Sequence, residues 1–318
     1  MFRNNVSSVK LSAQLNSKKK IWKTAKNMWL LYILLFIPFI FLIVFSYIPM
    51  YGIIIAFKDY RYADGILGSA WNNFHHFKLL LNDHLFCRSF MNTLIISLYR
   101  LVIGFPAPII FALLLNEMSN IKFKKVTQTI SYLPHFISWV VIAGMVGEAL
   151  SPQRGIVNSI ISIFGKEPIY FLTNTTYFRP ILILTGIWKE IGWGAVIYLA
   201  SIASINPELY EAAEIDGANR FYKAIYITIP SMMSVITILF ILHIGGILNA
   251  GFDQIFNLYN PLVYSVSDII DTYVYRSGLI DARYDFSTAV GLFKNVIGVI
   301  FMLLTNMIVK KYSEHGIW

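Results

Sequence analysis

The chain alternates long apolar runs with polar connections, and this alternation sets its architecture before any residue chemistry is considered. A helix crosses a bilayer with about 20 mostly apolar residues. Six stretches meet that length: Trp29–Ala56, Phe90–Leu115, Ile130–Leu150, Pro180–Ala203, Met232–Phe256 and Ser287–Val309. Three of the connections, near residues 57–89, 151–179 and 257–286, run to about thirty residues each, longer than a compact domain ordinarily uses. They carry Trp71, His75, His76, Tyr170, Tyr177, Tyr259, Tyr273 and Tyr275. Such a pattern suits either a docking surface for an external partner or a set of short interfacial helices.

Composition strengthens the membrane reading. Of 318 residues, 57% are apolar and 14% charged, and mean hydropathy is +0.61. A soluble domain carries about a quarter charged residues. The chain therefore reads as one all-α integral membrane domain. Its net charge of +9 lies beside apolar runs rather than in a basic stripe, so nucleic acid is not the expected partner. Cys87, the single cysteine, leaves no disulfide within the chain. The first apolar run exceeds the about 7–15 residues of a signal-peptide core, and no small-residue cleavage pattern follows it. We divide the chain into a basic, disordered tail (1–27), a first span (28–57), a core (88–309) holding a charged loop (204–231), and a short second tail (310–318). Alternate connections hold fourteen Lys and Arg residues against nine, which predicts both termini inside.

The loop between the fourth and fifth spans is the most informative segment. Asn206 and Pro207 suit a helix start. Glu208, Glu211 and Glu214 recur every third residue near that N-terminus, where acids favour the helix dipole. Ala212 and Ala213 keep the helix slim, and Gly217 permits a turn that other residues resist. A second amphipathic stretch, Phe221 to Ile227, leads to Pro230.

This segment, Glu211-Ala212-Ala213-Glu214-Ile215-Asp216-Gly217-Ala218 closed by Ile229-Pro230, resembles the coupling loop of permease subunits in bacterial ABC importers. Two positions depart from that pattern: Ala224 replaces a bulky aromatic, and Ile229 replaces Leu. Phe221, Tyr222 and Tyr226 are candidates to fill the space at Ala224. The resemblance extends to the carbohydrate-importing, complex-oligosaccharide branch. It is carried by Asn92-Thr93-Leu94, Gly104-Phe105-Pro106-Ala107-Pro108, Leu113-Leu114-Leu115-Asn116-Glu117, Leu133-Pro134-His135-Phe136-Ile137-Ser138-Trp139, Trp188-Lys189-Glu190-Ile191-Gly192-Trp193, Asp271-Thr272-Tyr273-Val274-Tyr275-Arg276 and Gly291-Leu292-Phe293. It implies the type I importer permease fold, six spans with both termini inside, in the bacterial cytoplasmic membrane. It further implies a second permease subunit of different sequence, two ATPase subunits that use ATP and Mg, and an extracytoplasmic solute-binding protein. Glu211 and Asp216 would contact the ATPase, with Ala212, Ala213 and Gly217 permitting close fit.

Polar residues inside apolar runs are costly and usually face a bundle interior or cavity. Arg100, Lys189, Glu190 and Lys294 fall within spans, and the fifth ends in Asn249, Asp253 and Gln254. Counted from the predicted span starts, all lie between the outer surface and the midplane. Trp188 and Trp193 share that level, giving aromatic faces for sugar rings beside amides and charges for hydroxyls. Trp193, Asn249 and Gln254 are expected to touch substrate; the charges would otherwise satisfy one another in the core. His243, alone on an apolar run, reads as structural. Pro106, Pro108 and Pro134 would kink helices. Gly246 and Ala250 form a small-residue pair suited to close helix packing.

No phosphate-binding loop, metalloprotease motif or nucleophile elbow is present, so no catalytic residue is assigned and no cofactor is expected on this chain. His75 and His76 are adjacent and cannot share a helix face, so no metal site is assigned. A permease for peptides or polyamines, or a membrane glycan-processing or scaffold protein, are the alternatives. The Trp188–Trp193 and Asp271–Arg276 segments argue against the former.

Overall fold

A computed structural model describes residues 27–312; the expected N-terminal tail (save Asn27) and the last six residues lie outside that range. Four unbroken helical runs are long and apolar enough to cross a membrane among the described residues: Trp29–Phe57, His84–Asn116, Thr175–Ala203 and Tyr284–Lys311. They correspond to the first, second, fourth and sixth predicted spans. The second begins earlier than hydropathy suggests because Asp83 caps it, its carboxylate accepting the amides of Leu85 (2.7 Å) and Phe86 (3.3 Å). Arg100 consequently sits at the midpoint of that helix, about 24 Å from either end. Lys189 is the midpoint of Thr175–Ala203 in the same way.

The third and fifth spans are not the continuous helices that hydropathy predicts. Ile121–Phe136 and Trp139–Ala149 meet at 105°, and Arg220–Ser231 meets Met233–Gly245 at 64°. In the third, Pro134 lies in a tight 3-10 turn, Leu133–Phe136, and Ile137 and Ser138 are extended. Ser138 restarts the helix by accepting the Val141 amide at 3.4 Å. In the fifth, the helix stops at Gly245, and a new one, Phe252–Leu258, follows Gly251, whose φ is +82°. Thirteen residues make about 20 Å of helix, short of the hydrocarbon thickness. Gly246 and Ala250 both lie within this break and therefore do not share one helical face.

The connections are ordered by packing rather than by regular structure. One departure from an all-helical chain is a two-residue antiparallel pairing, Lys58–Asp59 with Ala70–Trp71. An aromatic core of Phe86, Tyr273, Phe286 and Val290 ties residues 270–275 to the second and sixth spans. A second core, Ala112, Ala195, Tyr198, Ile202 and Met232, joins the second, fourth and fifth. The first span stands apart: none of its most apolar window is buried inside the chain.

Candidate functional site

Where the second, fourth and fifth spans converge they enclose a cavity of about 470 Å³. Arg100, Phe105 and Pro108 line it from the second, and Glu190, Trp193 and Tyr198 from the fourth. His243, Gly251 and Gln254 close the remaining side. Most of this surface is apolar and aromatic, with a few polar groups, the composition of a small-molecule site.

The break in the third span builds one wall. A bend that ends a helix leaves carbonyls without intrahelical partners. Lys189 gathers the carbonyls at the bend: its ammonium donates to those of His135 (2.6 Å) and Ile137 (2.6 Å) and to that of Pro134 (3.1 Å), which also accepts the Ile137 amide at 3.2 Å. The ammonium also lies 5.6 Å from the Trp139 ring centroid. Lys189 is 6% exposed and has spent all three protons, so it braces the site rather than facing it. Held in this way, His135 stacks on Trp193 at 4.7 Å with 6° between planes. Its Nδ1 lies 2.9 Å from a Glu190 carboxylate oxygen. Gly192 completes the junction, since a Cβ there would overlap the Ser131 carbonyl. The Trp188–Trp193 stretch thus holds a brace, an acid, a contact point and an aromatic platform.

At the far end of the fourth span, the charged loop folds as its residues predict. Asn206 caps Pro207–Ile215 by accepting the Glu208 amide at 3.1 Å. Gly217, at φ +80°, turns the chain so that the Ala218 amide reaches the Ala213 carbonyl at 2.8 Å. Asn219 caps the next helix through the Tyr222 amide at 3.0 Å. Glu211, Ala212, Asp216 and Gly217 are exposed, and Ala213 is half-buried. Glu214 is committed within the loop to Lys223 at 3.0 Å. Arg220 pairs with Glu117 at 3.7 Å, which places the loop at the C-terminal end of the second span. Around it Ile215, Phe221 and Tyr226 are 88%, 69% and 70% exposed, an apolar surface beside the acids. Tyr222 and Tyr226 stack on each other at 5.9 Å. Ala224 opens a π-helical turn, Ala224–Thr228, beside them.

The profile of the family described as "Binding-protein-dependent transport system inner membrane component" matches residues 87–314. The chain belongs to this family. The permease is 44% identical over 288 residues to the polygalacturonan/rhamnogalacturonan transport system permease protein YteP of Bacillus subtilis (strain 168), across 91% of this chain and 90% of that one. It is 42% identical over 299 residues to Protein LplB of the same organism, across 93% and 94%. Among solved structures, it matches a chain of a bacterial alginate ABC transporter in complex with an alginate pentasaccharide-bound periplasmic protein. The TM-score there is 0.85 and the identity 42%, over 94% of the permease and all of the matched chain.

In the permease the polar residues marked from sequence divide between two places. Arg100, Glu190, Trp193 and Gln254 meet at the cavity described above. Asn249 and Lys294 line a separate cavity of about 260 Å³ with Asn295 and Met302. Lys294 is bonded there to Asp271 at 2.5 Å. Asp253 is exposed, and Trp188, 44% exposed, lies outside both linings. Gln254 is 1% exposed, with its amide nitrogen donating to the Leu182 carbonyl (2.7 Å) and the Thr185 hydroxyl (2.8 Å). It orders the wall and offers the cavity little. The alternative, in which the intramembrane charges satisfy one another, is not what forms at Lys189 and Glu190: Lys189 turns to backbone and Glu190 to His135.

Several residues that matter here carried no obvious sequence signal. His135 was visible only as part of a Pro-His-Phe run, and His243 lines the cavity beside Phe105 rather than merely filling the core. At the N-terminal end of the second span, the fully buried Asp268 accepts from Ser89 (3.0 Å), Thr272 (2.7 Å) and Arg276 (2.5 Å). Asn92 donates to the carbonyls of Ser265 and Asp268 and accepts from Arg179 at 2.8 Å. This network explains both the Asn92-Thr93 pair and the Asp271–Arg276 stretch as a clamp on residues 259–276. His76 was set aside as a metal ligand, yet its Nε2 lies 3.4 Å from Asp285 and 3.9 Å from Asp59. The same nitrogen already contacts the Asn72 amide (2.6 Å) and the Lys58 carbonyl (3.0 Å), so this cluster pins the segment after the first span to the start of the sixth.

Proposed function

We propose that this permease moves oligosaccharides received from an extracytoplasmic solute-binding protein through the Arg100–Trp193 cavity, driven by separate ATPase subunits. The observation that carries the reading is placement. The cavity sits at the midpoints of the second and fourth spans, between the loop at one end of these helices and the Asp268 clamp at the other. The loop offers two free acids, a slim Ala-Ala face and an apolar surround, which suits a groove on a soluble ATPase. Motion of that loop would reach the cavity through the fourth span, which carries the loop at its end and Trp193 at its wall. Solute passage then follows from a shift between states open to either side. The polygalacturonan and alginate transported by the YteP and alginate-transporter relatives support a glycan as cargo, and the exposed Trp193 face suits a sugar ring. In this reading both termini lie in the cytoplasm, the clamped segment faces the binding protein, and a second permease subunit completes the pore in the bacterial plasma membrane.

Reconstitution of the whole transporter in proteoliposomes tests this. Gly217→Pro should keep the permease in the membrane and leave ATP hydrolysis running while uptake collapses, because the turn needs a positive φ that proline cannot adopt. Trp193→Ala should slow uptake with the ATPase coupling intact. Normal coupled uptake in both variants would refute the assignment.

A further inference from the structure

The cavity contains one cation whose position is held by three separate parts of the chain. Arg100 opens a π-helical turn, Arg100–Gly104, a departure from α-helix that recurs at functional sites. Its guanidinium rests against Gly251, where a Cβ would collide with Nη1, Nη2 and Cζ. Gln254 accepts from Nη2 through its amide oxygen. That amide cannot turn away, because its nitrogen is bonded to the Leu182 carbonyl and the Thr185 hydroxyl of the fourth span. A guanidinium has five N–H donors, and Gln254 uses one. Among the described residues no carboxylate lies within ion-pairing distance of Arg100; Glu190, the acid of the same cavity, is drawn to His135. A half-buried arginine kept only for packing would be expected to meet a carboxylate of its own chain. This one is aimed into a cavity instead.

We propose that Arg100 is a carboxylate subsite, which reads a uronate of an acidic oligosaccharide as it passes Trp193. The inference rests on the cavity being the substrate chamber. The chemistry follows from the fork: a guanidinium meets a carboxylate with two parallel hydrogen bonds, stronger than neutral ones and restricted in direction. Trp193, 46% exposed and backed by His135, supplies the face for the ring that bears the carboxylate. Galacturonans and alginate, the polymers named for the YteP and alginate-transporter relatives, are both polyuronates.

Equilibrium binding to the purified full transporter tests the subsite, with tetragalacturonate and its carboxyl-reduced counterpart as paired probes. Arg100→Gln should weaken tetragalacturonate binding by about tenfold or more and leave the reduced probe within about twofold. Gly251→Ala should give the same selective loss, because it displaces the guanidinium without removing its charge. Equal loss for both probes, or loss for neither, would overturn the subsite. Trp193→Ala should weaken both probes alike. If it weakens neither, the chamber itself is misplaced, whatever Arg100 does.

Discussion

Lys189 shows how a single residue decides the shape of the site. By hydropathy it is a charge stranded in the fourth span, and its sequence neighbour Glu190 looks like the natural partner. The structure gives it three backbone carbonyls of a broken helix instead. Removing the ammonium would leave the His135 and Ile137 carbonyls unsatisfied, at about 1–3 kcal/mol each, while the Pro134 carbonyl keeps the Ile137 amide. Lys189→Met should therefore lower the stability of the detergent-solubilised permease by about 2 kcal/mol or more, seen as a fall in melting temperature. Lys189→Arg, which keeps charge and donors, should recover part of the loss. If Lys189→Met melts like the parent, the bend is held by something other than this cap. His135 and Trp193 would then owe their stacking to a different constraint.

At the scale of elements, continuous helices were legible and interrupted ones were not. Thr175–Ala203 and Tyr284–Lys311 match apolar runs as continuous α-helices, and Trp29–Phe57 stays helical through a π turn at Ile43–Tyr47 and a 3-10 stretch at Tyr51–Phe57. A hydropathy window is blind to the 105° bend at Ile137–Ser138, since both arms are apolar. Pro134 marked a kink there, but no residue announced that a lysine 55 positions away in sequence would cap it. The charged loop is legible almost residue by residue because its caps and its glycine turn are local. The Asp268 clamp was missed because its partners come from Ser89, Asn92 and Arg179, which meet only in three dimensions. The same end of the bundle makes a pH prediction. Burial raises the Asp83 pKa, but hydrogen bonds from Tyr273, Leu85 and Phe86, with the charge of Arg283, outweigh it and hold the group below its ordinary 3.8. A depressed carboxylate pKa contributes stability above the ordinary value, and loses it as pH falls through the folded one. Hydrogen-exchange protection of the 270–283 segment should thus decline as pH drops below about 4, once corrected for intrinsic exchange. Asp83→Asn should flatten that decline; an unchanged profile would show that another acid controls the docking.

For the whole molecule, the first span is the element least packed against the rest of the bundle: none of its most apolar window is buried, against 11% for the second and sixth and 33% for the fourth. Its residues from Trp29 to Met50 are exposed, and only the tight turns from Tyr51 to Phe57 touch the rest of the chain, chiefly the sixth span. Its apolar surface therefore contributes little to the fold of this chain, and lipid or another helix must cover it. In the assembly proposed above, where a second permease subunit completes the pore, such a helix has one obvious use, which is to lie against that subunit. Leu34, Phe41 and Phe45, each more than 60% exposed, are the test positions. Replacing all three by Ala removes almost no contact inside the chain, beyond the ring pair Phe41–Phe45 at 4.5 Å. The stability of the single subunit should then change by about 0.5 kcal/mol or less, as for other surface changes. Recovery of the second permease subunit on co-purification should fall severalfold. The opposite pattern, a destabilised single chain that still assembles normally, would mean that the span folds back on its own bundle and that the pore is built without it.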